Sequence, residues 1–99
     1  MTPTEQDRVL VFAAAELARR SRARGDRLNA PEAVAIIADE MHAAARGGAS
    51  YEEVASAGRA AVRPDQVLDG VPDLVPEVRV EVLLEEGSRL VVLRRPLEG

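Results

Sequence analysis

The stretch Gly70-Val71-Pro72-Asp73-Leu74-Val75-Pro76-Glu77-Val78-Arg79-Val80-Glu81-Val82 constrains this chain more than any other. Proline fixes φ and biases the residue before it toward extended backbone. Two proline-punctuated aliphatic pairs therefore predict an extended arm, residues 71–77, between a helical part, 2–70, and a β-ribbon. From Val78 onward, Val78, Val80, Val82 and Leu84 alternate with Arg79, Glu81 and Leu83, the period of a strand with one buried face. Glu85-Glu86-Gly87-Ser88 reads as a turn, and Arg89 to Arg95 as the returning strand, stopped by Pro96. The hairpin spans 78–96. A lone two-stranded ribbon is marginal in water, so it needs a helix or a further strand beside it. Its edges also offer pairing groups to another chain.

Upstream, the punctuation is helical. Thr2-Pro3-Thr4-Glu5 gives a cap, a proline suited to the first turn and a capping-box glutamate; Gly25 ends the helix near Arg24. Leu10, Ala13, Ala14 and Leu17 recur at helical spacing and are the expected core face. Arg19, Arg20, Arg22 and Arg24 suit the negative end of the helix dipole, bonded to its own last carbonyls or to acids of a partner. A second helix starts at the cap Asn29, with Pro31 and Glu32 in its first turn, and stops at Gly47-Gly48. Its stripe is Val34, Ile37, Met41 and Ala45. Ile36 lies about 200° from Val34 at 100° per residue, so this helix is either central or turns a second face to a partner. Ser50 and Glu53 open a third helix with a small-residue face, Val54, Ala57, Gly58 and Ala61. Glycine inside a helix costs about 1 kcal/mol, so a close backbone approach at Gly58 is the expected compensation. Pro64 either ends this helix or opens a short one, over about Pro64 to Asp69, that Gly70 closes. The fold class is α+β: three to four helices in a small bundle, then a C-terminal two-stranded antiparallel ribbon, in one domain over residues 1–99.

Composition narrows the chemistry. Only Phe12 and Tyr51 are aromatic among 99 residues, so the core is built from Ala, Val, Leu and Ile, and so small a domain gains from oligomerisation. The absence of cysteine excludes disulfides, thiolate nucleophiles and Cys-based metal sites. All 13 basic residues are arginine, a side chain suited to interface ion pairs, although a GC-rich genome, in which arginine codons displace lysine codons, is the favoured explanation. A net charge of −4, without aromatics interleaved among the arginines, argues against nucleic acid as a partner. No apolar run is long enough for a membrane span, and the N-terminus lacks a signal-peptide layout, so a cytoplasmic protein is expected. His42 is the sole histidine, without HxH or HExxH spacing; Asp39 and Glu40 are its nearest carboxylates. Ser21, Ser50, Ser56 and Ser88 have no catalytic context. Arg24-Gly25-Asp26 spells RGD in a chain with no sign of secretion. No catalytic, cofactor-binding or metal-ligating residue is expected on this chain.

A series of short motifs, in order and nearly without gaps, is similar to one family. Thr2-Pro3 and Glu5 come first, then Leu10, Phe12, Ala23-Arg24-Gly25 and Leu28-Asn29. Pro31-Glu32-Ala33-Val34-Ala35, Ala45-Arg46, Gly48 and Ala57-Gly58-Arg59 follow. Gln66-Val67, Gly70-Val71-Pro72, Pro76 and the strand Val78 to Val82 complete it. With these residues the chain resembles the gamma subunit of bacterial ureases. It departs at Ala30, where the family has tyrosine, at Ala43-Ala44, where it commonly has Glu-Gly, and in the tail from Arg94. The resemblance implies a noncatalytic structural subunit of a nickel urease, which hydrolyses urea to ammonia and carbamate. The implied partners are the urease alpha and beta subunits, in a trimer of heterotrimers whose nickel ions lie in the alpha subunit. The rival reading is a diverged paralogue that self-associates or binds another protein. The expected partner contacts are Ile36, Arg59 and the ribbon residues Val78, Val80, Val82 and Leu84.

Overall fold

The computed structural model describes residues 3–98. Four helices precede a hairpin: α1 (Pro3–Ala23), α2 (Ala30–Arg46), α3 (Tyr51–Ala60), a 3-10 turn (Pro64–Gln66), α4 (Val71–Leu74), β1 (Glu77–Leu84) and β2 (Gly87–Arg94). The proposed cap Thr2 lies outside the described residues. The other two caps are complete. Asn29 Oδ1 accepts from the Glu32 backbone N–H while Glu32 accepts from the Asn29 N–H, and Ser50 and Glu53 form the same reciprocal pair. Each box satisfies two backbone donors that a helix start otherwise leaves open.

The helix α2 is the hub. It touches α1, α3, α4 and β1, while α3 supports β2. Ala33, Ile36, Ile37, Ala38, Met41 and Ala45 are all buried, which accounts for its apolar character on more than one side. Strands β1 and β2 pair antiparallel in register Val78↔Leu93, Val80↔Val91 and Val82↔Arg89. The ribbon lays Val78, Val80, Val82, Leu84, Val91 and Leu93 onto the helices. Each aliphatic side chain so buried contributes roughly 1.5–3 kcal/mol relative to exposure, which gives the two-stranded sheet the support it lacks alone.

Three local expectations change. Residues 71–77 are not an extended arm. Gly70, at φ 85°, reverses the chain, and Pro72 then sits in the first turn of α4, where a missing N–H costs nothing. Only Val75, ahead of Pro76, takes the non-helical backbone that proline imposes. Similarly, the fourth helix shrinks to a 3-10 turn, because Val67 leaves it to form a parallel bridge with Leu28. The Leu28 N–H donates to Gln66 at 2.8 Å and the Leu68 N–H to Leu28 at 2.9 Å, which ties the α1–α2 loop to the chain beyond α3. The hairpin turn is shorter than the sequence suggests: Leu84 pairs with Gly87, so β2 starts two residues before Arg89. Gly87 takes φ 119°, a conformation that side chains resist.

The small-residue face of α3 has the expected cause. A Cβ at Gly58 would fall 2.7 Å from Leu93 Cδ1 and 2.8 Å from Met41 Cγ and Sδ. Both neighbours are buried, so they have little room to yield. Overpacking of about 1–3 kcal/mol opposes a helix-propensity gain of about 1 kcal/mol. Gly58→Ala should therefore destabilise the fold by about 1 kcal/mol and Gly58→Val by clearly more, measured by urea unfolding.

Candidate partner interface

An interface must use side chains that the chain's own core leaves free. Of the expected contacts, Ile36, Val78, Val80, Val82 and Leu84 are buried, with Ile36 at 0% exposure. They come together as a core between α2 and the ribbon, not as a docking surface. The second apolar side of α2 meets β1 of the same chain. Arg59 alone of the set is exposed, and its Nη1 donates to the Arg94 carbonyl at 3.3 Å.

The free apolar surface lies elsewhere. On the outer face of the ribbon, Leu83 is 72% exposed and Leu90, paired with Glu81, is 44% exposed. Arg79 and Glu81 share that face. Leu83 had signalled this already, as an aliphatic residue among the polar positions of an alternating strand. The larger surprise is α1. Its expected core residues Leu10 and Leu17 are 66% and 67% exposed, and Ala13 and Ala14 are exposed with them. The helix instead packs on α2 through Ala15 and Ala18, with Val11 partly buried.

A charge cluster explains the reversal. Asp39, in the middle of α2, is 5% exposed. Its Oδ1 accepts from Arg8 Nη1 at 2.7 Å and its Oδ2 from Arg19 Nη2 at 2.7 Å. Arg19 also donates to Glu16 at 2.7 Å and to Glu40 at 2.6 Å. Arg22, one turn further, donates to the Ala61 carbonyl at 2.9 Å and to Gln66 at 3.3 Å. These arginines line the α2-facing side of α1 and turn the leucine stripe outward. Arg19 thus bonds to α2 as well as to Glu16 of its own helix, and Arg22 to the chain beyond α3, rather than to the last carbonyls of α1. Burial by itself would raise the Asp39 carboxyl, but hydrogen bonds from Arg19 and Arg8, with their charges, hold it below the usual carboxylate range. Arg19 loses some stability as a cation through burial, yet its three carboxylate partners raise its pKa above the ordinary arginine value.

Beside this cluster, a groove of about 470 Å³ is lined by Asp7, Arg8, Val11, His42, Val82 and Leu83, with Glu81 and Ser88 completing it. Burial and then the Arg8 charge push the His42 imidazole down, against a smaller opposite pull from Asp39, which favours its neutral form. Among the described residues, no three His, Cys, Asp or Glu side chains converge as a metal site. No helix among the described residues is long and apolar enough to cross a membrane. Ser50 and Glu53 are engaged in a helix cap, and Ser21 Oγ accepts from Arg24 at 3.2 Å. The RGD tripeptide sits at the α1 terminus with Arg24 and Asp26 paired to one another at 3.8 Å.

The family model for urease, gamma subunit, matches residues 1–97. The chain belongs to the urease gamma-subunit family. Over its whole length it is 56% identical to a protein of Streptomyces avermitilis called urease subunit gamma/beta, and 54% identical to one of the same name from Streptomyces coelicolor. In each case the match covers 44% of the relative, so this chain spans less than half the length of either. Among the described residues, the ribbon's outer face and the α1 stripe are exposed apolar surfaces, alongside the exposed Leu68 and Leu74.

The clamp has a measurable worth. Breaking a fully buried ion pair costs about 3–5 kcal/mol, and these guanidiniums keep some access to water, so Asp39→Asn should cost about 2–3 kcal/mol. Because the folded carboxyl titrates below the value near 3.9 of an unfolded chain, its contribution is complete above about pH 4 and is lost as pH falls through the folded value. Asp39→Asn should therefore flatten the acid limb of the stability–pH curve, read by urea unfolding across that range.

Proposed function

We propose that this chain is a noncatalytic structural subunit of a nickel urease, the complex that hydrolyses urea to ammonia and carbamate. The observation that carries this reading is the family match along residues 1–97, joined to 54–56% identity across the chain. Its partners are the urease alpha and beta subunits, in a cytoplasmic trimer of heterotrimers. The nickel belongs to the alpha subunit. The residues present here do not fit that metal: Asp39 is engaged by two arginines, His42 stands alone, and the chain has neither cysteine nor lysine. No catalytic step is assigned to this chain.

Its contribution is positional. The outer face of the ribbon presents Leu83 and Leu90 beside Arg79 and Glu81, an apolar centre with a charged rim. With Arg59 it forms the surface proposed to meet the larger subunits. The buried ribbon residues Val78, Val80, Val82 and Leu84 serve it by holding the hairpin flat on α2. Exposed residues are changed without disturbing that core, so fold and assembly separate cleanly in a test.

Tagged chain purified gently from its native host should bring down a large and a small subunit, nickel and urea hydrolysis. The double variant Leu83→Asp with Leu90→Asp should keep its helical circular dichroism and weaken recovery of the partners about tenfold or more. Recovery of the chain without urease subunits, from cells with active urease, would contradict the proposal. Urea hydrolysis by the isolated, nickel-treated chain would contradict the noncatalytic role.

A further inference from the structure

The groove beside the Asp39 cluster runs along an open edge of the sheet. Leu84 faces Gly87 across a two-residue turn, so that pair is hydrogen-bonded, and bonding alternates along an antiparallel ladder. Val80 and Val82 therefore bond to β2, while Glu81 and Leu83 turn their N–H and C=O groups away from it. The sheet has only these two strands, and no other backbone among the described residues takes up those groups. Such an edge is a template for a further strand. The groove lies against it: Glu81 and Leu83 line it from β1, Asp7, Arg8 and Val11 from α1, and His42 from α2.

Charge selects the kind of strand that fits. Asp7 and Glu81 are exposed, and neither is paired among the described residues. The one cation lining the groove, Arg8, is already matched by Asp39 at 2.7 Å. Burial and that same Arg8 favour neutral His42, which adds no opposing charge. The Asp7 and Glu81 carboxylates are thus left uncompensated beside the apolar Val11 and Leu83. A lysine or arginine answers both features, with its aliphatic stem on the apolar side chains and its head at the carboxylates. An acidic segment is repelled.

We propose that β1 takes up an extended, basic segment of a larger urease subunit as a third strand, lying in this groove with a lysine or arginine between Asp7 and Glu81. The proposal rests on the reading of this chain as a urease subunit and names how a partner engages it. Backbone pairing at Glu81 and Leu83 supplies affinity, and the two carboxylates supply the choice of segment. The added strand also gives the ribbon the third member that a two-stranded sheet lacks. Leu83 joins the groove to the outer face of the ribbon, so one partner can cover both. Because the occupant is a different polypeptide, the contact sets no condition on the symmetry of the assembly.

The test is hydrogen exchange, read at single amides, on the chain alone and in the complex purified from its native host. In the chain alone, the Val80 and Val82 amides should be protected by β2 while those of Glu81 and Leu83 exchange freely. In the complex, the Glu81 and Leu83 amides should slow by about a hundredfold or more. Asp7→Lys lies on α1, off the ribbon's outer face. It should keep its helical circular dichroism and lower recovery of the large and small subunits about tenfold or more, with Asp7→Asn lowering it less. Urease subunits recovered with Glu81 and Leu83 still exchanging freely, or recovery indifferent to Asp7→Lys, would overturn the third strand and leave the urease reading standing. A chain recovered without urease subunits would overturn that reading, and this pairing with it.

Discussion

One carboxylate decides how this molecule is put together. Asp39 lies under α1 with both oxygens engaged, one by Arg8 and the other by Arg19, which stand three turns apart on that helix. A buried charge is costly unless fully paired, so the two guanidiniums are held where the carboxylate is. That fixes both the rotation of α1 about its own axis and its register on α2. The consequence runs outward. Ala15 and Ala18, too small to anchor a helix by area alone, become the packing face, and the leucines of α1 are left on the surface.

On its other sides α2 is enclosed by α3, α4 and the ribbon, and packing rather than charge governs there. Gly58 lets α3 come down onto Met41 and Leu93 together, which links helix and hairpin in one contact. At the far end of β2, Arg95 adopts φ 46°, and its N–H donates to the Pro76 carbonyl at 2.9 Å, folding Pro96 and Leu97 inward. Its guanidinium pairs with Glu98 and reaches Asp73 at 3.6 Å. The two ends of the hairpin are thereby fastened to α4, and its outer face is presented as a rigid surface.

The sequence was most legible where structure is decided locally. Both capping boxes, the alternation of Val78 to Leu84 and the close approach at Gly58 depend on neighbours in the chain or on the absence of one Cβ, and each was readable. Where a distant charge decides, reading failed. Periodicity treats arginine as a mark of the solvent face and so assigns Leu10 and Leu17 to the core of α1; nothing in the spacing reveals that Asp39 draws Arg8 and Arg19 inward. Spacing likewise leaves the cover of Ile36 open, since a helix apolar on two sides looks alike whether its second cover is its own ribbon or another chain; in this chain Ile36 is fully buried. Pro72 misled for a different reason. Proline serves a first helical turn as readily as an extended arm, and only the reversed backbone at Gly70 separates the two.

Native-state hydrogen exchange on Asp39→Asn bears on this architecture most directly. If the clamp holds α1 in place, amides of α1 should lose protection well ahead of those in α2, α3 and the hairpin, with the α1 opening free energy falling toward zero. Protection in α1 unchanged, or lost evenly through the whole chain, would contradict the claim that Asp39 governs how α1 is seated.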